Sequence, residues 1–167
     1  MKTIHLIWLL TLMPILFCRC SEGNDAPPYI YLLKIKFEDR SGKNLINGIK
    51  HSDATDGTFL RVTDVYKLQV SSSSLPAQDE SLFITFDNQE KYLYFSYTTF
   101  DDVASTITWK LTCPHIFGND KEHKIISHWE KTSKYQAVCS KIIFDEKECQ
   151  VTKNENAPEY TVRITLP

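Results

Sequence analysis

The sequence predicts an all-β protein, an antiparallel β-sandwich preceded by an N-terminal signal helix. Short runs in which apolar and polar residues alternate recur from residue 29 onward, and a period of two is typical of strands with one buried face. Clusters of Asp, Asn, Gly and Ser separate these runs. No long stretch beyond the linker has a helical period. Many short strands divided by turn signals favour a sandwich or a barrel.

The first residues have the pattern of an export signal. Lys2 precedes residues 4–17, which are almost wholly apolar. A charged start followed by an apolar run of this length is typical of a secretory signal peptide. The run is too short to cross a bilayer, which takes about 20 apolar residues. The alternative interpretation is a buried core helix.

Two cysteines follow the apolar run, and a polar, acidic linker follows them. This layout resembles the lipobox of bacterial lipoproteins, in which the cysteine becomes the first mature residue and its thiol and amine are acylated. The resemblance implies lipidation at Cys20, with Cys18 as the alternative, and palmitate among the acyl groups. It divides the chain into a signal peptide (1–19), a linker (20–28) and one β-sandwich domain (29–167). An ordinary cleaved signal with two spare cysteines is the other interpretation.

The charge of the chain limits the classes of partner that it could bind. The whole chain has a net charge of −2, and loss of Lys2 and Arg19 with the signal makes the remainder more acidic. Because no basic field attracts nucleic acid, that class of partner is excluded. The membrane, through the lipid anchor, and a protein or glycan are the predicted partners.

The strands are expected in order along the domain. Tyr31, Leu33, Ile35 and Phe37 point inward from the first, with Lys34 and Lys36 on its other face. Turn clusters follow at residues 39–44 and 51–58. The later strands are expected at 59–72, 82–86, 91–98, 105–113, 124–131, 136–144 and 160–166. A polar tetrad at 87–90 predicts a hairpin between 82–86 and 91–98.

The strand at 91–98 is rich in aromatic residues on both faces. Leu93, Phe95 and Tyr97 share one face, which leaves Tyr92 and Tyr94 on the other, with Phe100 nearby. Aromatic rings on a sheet surface stack on sugars or anchor protein partners. Tyr92, Tyr94 and Phe100 are therefore the candidate ligand-binding residues. Cross-strand pairing that only stabilises the sheet is the alternative.

The strand at 105–113 has the cleanest alternation, with Ile107, Trp109, Leu111 and Cys113 facing inward. Three cysteines remain in the domain, and an oxidising compartment favours one disulfide among them. Cys113 with Cys139 is the preferred pair, and Cys149 is the alternative partner. All three pairings remain open, and one thiol is left over in each.

Two stretches resemble known families. The string FEDRSGKNLINGI, from Phe37 to Ile49, resembles the opening of small transthyretin-like or immunoglobulin-like β-sandwich modules. The segment CPHIFGNDKEHKIISHW, with IIFDEKE further on, is similar to small lipoproteins of Bacteroides-type bacteria. In that group the tether leads to a compact β-domain of unknown role. The resemblance implies a lipoprotein of the outer membrane, leaves its periplasmic or surface exposure open, and transfers no catalytic residue.

No catalytic or metal-binding pattern stands out. His115, His123 and His128 lie within fourteen residues, but the five-residue interval between the last two places them on opposite faces of a strand. Asp53 and Asp56 lack the spacing of a calcium loop, and Asp101–Asp102 is a lone acidic pair. No nucleophile elbow or phosphate loop occurs. No metal and no cofactor are expected.

The favoured hypothesis is a lipid-anchored, non-enzymatic binding module of the cell envelope. One alternative is an envelope hydrolase that uses loop carboxylates, or His115 and His128. It requires a deep pocket lined by several of these groups. The other alternative is an accessory, fimbria-like subunit that pairs through a sheet edge.

Overall fold

The structure of this chain, a computed structural model, describes residues 28–53, 58–100, 104–133, 136–154 and 158–167. The predicted signal helix, the lipidation candidates Cys18 and Cys20, Asp56 and the pair Asp101–Asp102 lie outside the described residues. Within those ranges, no helix has the length and apolar character needed to cross a membrane.

The described residues form strands and one short helix, which confirms the all-β prediction. The strands are β1 (Tyr29–Glu38), β2 (His51–Asp53), β3 (Leu60–Val62), β4 (Lys67–Ser72), β5 (Gln78–Asp79), β6 (Phe83–Asp87), β7 (Glu90–Thr99), β8 (Thr106–Thr112), β9 (His123–Ser133), β10 (Gln136–Phe144), β11 (Lys147–Cys149), β12 (Val151–Lys153) and β13 (Glu159–Thr165). The stretch predicted as strand at 59–72 is divided between both sheets, as β3 and β4.

The strands form two sheets. One has seven strands in the order β12-β13-β1-β7-β6-β3-β2, and the other has six in the order β11-β10-β9-β8-β4-β5. The prediction of purely antiparallel pairing is wrong at one place, because β1 and β13 run parallel. After β11 the chain returns from the six-stranded sheet as β12 and turns back as β13, which pairs with β1 in the same direction.

The core lies between the two sheets. Tyr31, Leu33, Ile35 and Phe37 of β1 are fully buried, as the alternation predicts. Their partners come from the other sheet. Edge-on aromatic contacts join the layers: Tyr31 with Trp129, Phe37 with Phe144, and Phe95 with Trp109. The layers thus interlock through rings along the length of the sandwich.

The connection between β8 and β9 begins with a helix of one turn, α1 (Pro114–Phe117). Pro114 suits the first helical position, where its missing N–H has no partner to lose. Gly118 ends the helix at φ +68°, and its N–H donates to the carbonyl of Pro114 at 2.8 Å. Glycine adopts this left-handed conformation without steric cost.

Two hairpins use two-residue turns with both residues at positive φ. Asn88 and Gln89 join β6 to β7 at φ +47° and +72°, and Asp145 and Glu146 join β10 to β11 at +42° and +71°. This is the type I′ geometry, whose twist matches that of the flanking strands. The hairpin predicted at 87–90 is confirmed.

Glycine at the second turn position should stabilise the first hairpin. Gln89 adopts a left-handed conformation that a side chain disfavours and glycine does not. We expect Gln89→Gly to raise the free energy of unfolding by about 1 kcal/mol. Urea denaturation measures the change. Gln69→Gly, within β4, is the matched control and should destabilise the fold; a loss of stability in both variants would contradict the turn geometry.

Candidate functional site

The outer face of the seven-stranded sheet carries a continuous row of side chains across five strands. Register places Thr161 beside Lys34, Lys34 beside Tyr94, Tyr94 beside Phe83, and Phe83 beside Arg61. Residues paired across neighbouring strands point to the same side of a sheet. The two flanking strands therefore place Lys34 and Phe83 on either side of the Tyr94 ring.

An aromatic cluster, which we define as Phe59, Phe83 and Tyr94, lies within this row. The Phe59 and Tyr94 rings are tilted by 41° with centroids 4.6 Å apart. All three side chains are partly exposed. Burial and the nearby Glu159 carboxylate raise the pKa of Tyr94, so its hydroxyl stays protonated and able to donate at neutral pH. The cluster offers flat apolar rings edged by a hydrogen-bonding group.

The three predicted ligand-binding residues do not form one patch. Tyr94 lies in the aromatic cluster. Tyr92 is on the same face but only 7% exposed, and its hydroxyl donates to Glu90 Oε2 at 3.0 Å. Phe100 is 69% exposed, yet it lies six residues beyond Tyr94, about 20 Å along the strand direction. Tyr92 is therefore not accessible to a ligand, and Phe100 is too far from Tyr94 to belong to the same surface.

Phe59 and Phe83 were missed as site residues. Phe83 alternates with the buried Ile84, so the sequence alone could have placed Phe83 on the outer face of its sheet. Its position opposite Tyr94 depends on strand register, and register is set by turn geometry and by the complete hydrophobic pattern. Phe59 lies before β3, outside any strand, so no alternation could place it.

A charged cluster lies on the same face, next to Tyr92. Lys36 is only 4% exposed although it is on the outer side of β1. Its ammonium donates to Glu90 Oε1 at 2.7 Å and is 2.7 Å from Glu38 Oε1. Arg163 is more loosely placed, with Nε 3.7 Å from Glu38 Oε1. The prediction that Lys36 faces away from the core holds, but solvent hardly reaches it.

Hydrogen bonding sets the ionisation of this charged cluster. Burial alone would lower the pKa of Lys36, but the hydrogen bonds to Glu38 and Glu90 outweigh it and raise the pKa. The hydrogen bond from Lys36, followed by that from Tyr92, lowers the pKa of Glu90. Burial and Glu90 raise the pKa of Tyr92. Lys36 and Glu90 therefore both keep their charges across neutral pH.

The cysteines of the described residues are free thiols, and the predicted Cys113–Cys139 disulfide is absent there. Cys139 pairs with Trp129, whose N–H donates to the carbonyl of Ser105 before β8. Cys113 follows the other end of β8, about 25 Å away. A disulfide requires Cα atoms within about 7 Å. Burial raises the pKa of Cys113, and that of Cys139 to about 12, so neither is a reactive thiolate.

Two of the three histidines lie near opposite ends of the six-stranded sheet. His128 pairs with Thr106, the first residue of β8, and its Nδ1 is 3.3 Å from the Thr106 hydroxyl. His115 lies beyond the other end of β8, in α1, with Nε2 3.2 Å from the carbonyl oxygen of Asn47. The structure therefore does not bring His115 and His128 together.

His123 has a third environment. Its ring stacks on Phe117 with centroids 3.8 Å apart, and its Nδ1 is 2.5 Å from Asp145 Oδ2. The contact ties the start of β9 to the β10–β11 turn. Across the described ranges, no three His, Cys, Asp or Glu side chains are grouped so that they could hold a metal ion.

No protein-family model, curated protein or solved structure matches this chain. The similarity to lipoproteins of Bacteroides-type bacteria therefore stays a prediction from the sequence.

Proposed function

We propose that this chain is a lipid-anchored lipoprotein of the bacterial outer membrane whose β-sandwich binds a ligand without catalysing a reaction. The binding surface is the aromatic cluster with its neighbours on the outer face of the seven-stranded sheet. One observation carries the proposal: Tyr94 and Phe59 form a ring pair on a sheet face, set beside Phe83 and partly open to solvent. Exposed aromatic groups on a rigid sheet are typical of recognition surfaces.

A glycan is the ligand that this surface fits best. Sugar rings present flat C–H faces that pack on aromatic rings, and their hydroxyls bond to polar groups at the ring edges. Lys34, paired with Glu159, and the exposed Arg61 provide such groups at both sides of the cluster. A protein partner that inserts an apolar side chain between the rings is the second ligand class.

We also infer that the sandwich is of the immunoglobulin-like or transthyretin-like kind. Two packed sheets and a buried tryptophan in an inner strand, Trp109, support this inference. The disulfide typical of antibody domains is not part of it. An experimental structure whose strand order matches neither kind would overturn the assignment.

The edge strands of both sheets are too short to favour the alternative hypothesis of a subunit that pairs through a sheet edge. In the part of the chain that the structure describes, β2, β5, β11 and β12 form the margins and each has two or three residues. Such short edges present few free backbone groups to an added strand. A flat face is therefore a better basis for recognition here than a sheet edge.

Removal of the Tyr94 ring should abolish most ligand binding. We expect Tyr94→Ala to weaken binding to an array of purified neutral and acidic oligosaccharides about tenfold or more, the loss of about 1.4 kcal/mol typical of an aromatic anchor. Thr108→Ala, on the outer face of the other sheet, is the control and should bind like the parent. If the parent binds no oligosaccharide on the array, or if Tyr94→Ala binds equally well, the glycan proposal is wrong.

A further inference from the structure

One end of the sandwich, which we call the entry end, gathers exposed apolar side chains. It is the end where the chain enters β1 at Tyr29, where β7 ends at Thr99, and where the 72–75 turn lies. Tyr29 pairs with Thr99, and the Tyr97 hydroxyl donates to Ser72 Oγ at 3.0 Å. The start of β1, the end of β7 and the end of β4 therefore lie together at this end, beside the β4–β5 connection.

Three large apolar side chains at the entry end are exposed to solvent. Ile30 is 51% exposed, Leu75 45% and Phe100 69%. Ile30 pairs with Thr98, and Phe100 follows two residues later, just after the end of β7, about 7 Å further along the strand direction. Soluble proteins seldom collect exposed apolar groups in one region unless that region meets a partner or a membrane.

A basic side chain accompanies them. Lys131, near the end of β9, is exposed and holds its ammonium 5.7 Å from the centroid of the Tyr29 ring. An apolar surface with an aromatic ring and a lysine is the composition that lies in the interface of a bilayer. There the apolar groups enter the acyl boundary and the ammonium meets lipid phosphates.

We propose that the entry end rests on the membrane surface, with Phe100, Ile30 and Leu75 in the lipid interface. This inference rests on the proposed anchor at Cys20. The linker from that residue to β1 is nine residues long, so the lipid-bearing cysteine lies at most about 30 Å from Tyr29. The entry end is thus the part of the domain held nearest to the bilayer, and the aromatic cluster on the outer sheet face stays open to ligand.

The opposite end supplies a matched control. Phe86 is 43% exposed and lies next to the β6–β7 turn, one strand away from Lys91, whose ammonium is 5.9 Å from its ring. Phe86 and Phe100 are therefore two exposed phenylalanines at opposite ends of the sandwich. Phe86 lies beside Lys91, and Phe100 lies near Ile30. Only Phe100 should contact lipid.

Tryptophan substitution with lipid quenching tests the contact. The full acylated protein is reconstituted into vesicles of phosphatidylethanolamine and phosphatidylglycerol that contain brominated phosphatidylcholine, which quenches only nearby tryptophans. The two tryptophans that remain once the signal peptide with Trp8 is removed, Trp109 and Trp129, are buried. We expect the tryptophan of Phe100→Trp to lose fluorescence and to shift to shorter wavelength, whereas that of Phe86→Trp does neither.

The outcomes separate the contact from the anchor. If the parent protein does not float with the vesicles, the anchor and the contact both fail. If it floats and the Phe100→Trp signal is unquenched, or both variants are quenched equally, the anchor stands and the membrane contact is overturned. An unquenched Phe100→Trp that is protected from aqueous iodide would instead assign the entry end to contact with a second copy of the chain.

Discussion

Replacement of Trp109 by alanine is expected to cost about 3–5 kcal/mol of unfolding free energy. Trp109 is among the largest fully buried side chains and packs edge-on against Phe95 of the opposite sheet, with ring centroids 5.9 Å apart. Its removal leaves a cavity between the two layers, which neighbouring rings fill only in part. Because small domains are stable by about 5–15 kcal/mol in total, this is a large share.

The measurement is urea denaturation followed by far-ultraviolet circular dichroism, since the substitution itself alters tryptophan fluorescence. Thr108→Ala is the control from the same strand. Thr108 faces outward and is partly exposed, so the change should stay within about 0.5 kcal/mol. Similar losses in both variants would mean that β8 does not present Trp109 to the core.

Replacement of Lys36 by methionine is expected to destabilise the fold by about 2–3 kcal/mol. Methionine retains the length of the apolar stem but leaves the largely buried Glu38 carboxylate without its close ammonium partner. An unpaired buried charge is costly, whereas removal of a solvated one is not. The partial exposure of Glu90 holds the expected loss below that of a fully buried pair.

Lys110→Met is the matched control for Lys36→Met. Lys110 pairs with Glu122 at 3.1 Å, but both side chains are 40% or more exposed. Exposed ion pairs contribute about 0–1 kcal/mol. If the two methionine variants lose equal stability, the charged cluster on the outer face is not buried in solution.

The effect of Lys36→Met should depend on pH. The pKa of Glu90 is lowered from its usual 4.5, so the stability from its pairing is present above that value and is lost as the pH falls through the lowered pKa. The pKa of Lys36 is raised above 10.5, so its contribution is complete below 10.5 and is lost as the pH rises through the raised pKa. The stability difference between parent and variant should be constant near neutral pH and narrow in acid.

Alternation along the chain was enough to predict the fold class and most of the core. β8 alternates apolar and polar residues over seven positions and β1 over its last six, and their inward side chains are buried as expected. A two-residue period determines which residues face inward, because a register slip by one residue would expose all the apolar side chains of the strand. The short marginal strands gave no such signal, since two or three residues do not establish a period.

The site was harder to predict because it depends on relations between strands. Tyr94 could be placed on an outer face from its own strand, but its neighbour Phe59 comes from the segment before β3 and its neighbour Phe83 from β6. Tyr92 and Lys36 are buried because they bond to the carboxylates of Glu38 and Glu90, which the fold brings together from β1 and β7. Their burial could not be predicted from either strand alone. The cysteine pairing failed for the same reason, since register at β9 and β10 decides the distance.

The anchor is the claim on which localisation and the membrane contact depend, and metabolic labelling tests it most directly. An alkyne analogue of palmitate is supplied to bacterial cells that make the parent chain, Cys18→Ala or Cys20→Ala, and label is read on the purified proteins. The parent and Cys18→Ala should carry label, and Cys20→Ala should carry none. Label on Cys20→Ala equal to that on the parent would contradict the assignment of the anchor to Cys20.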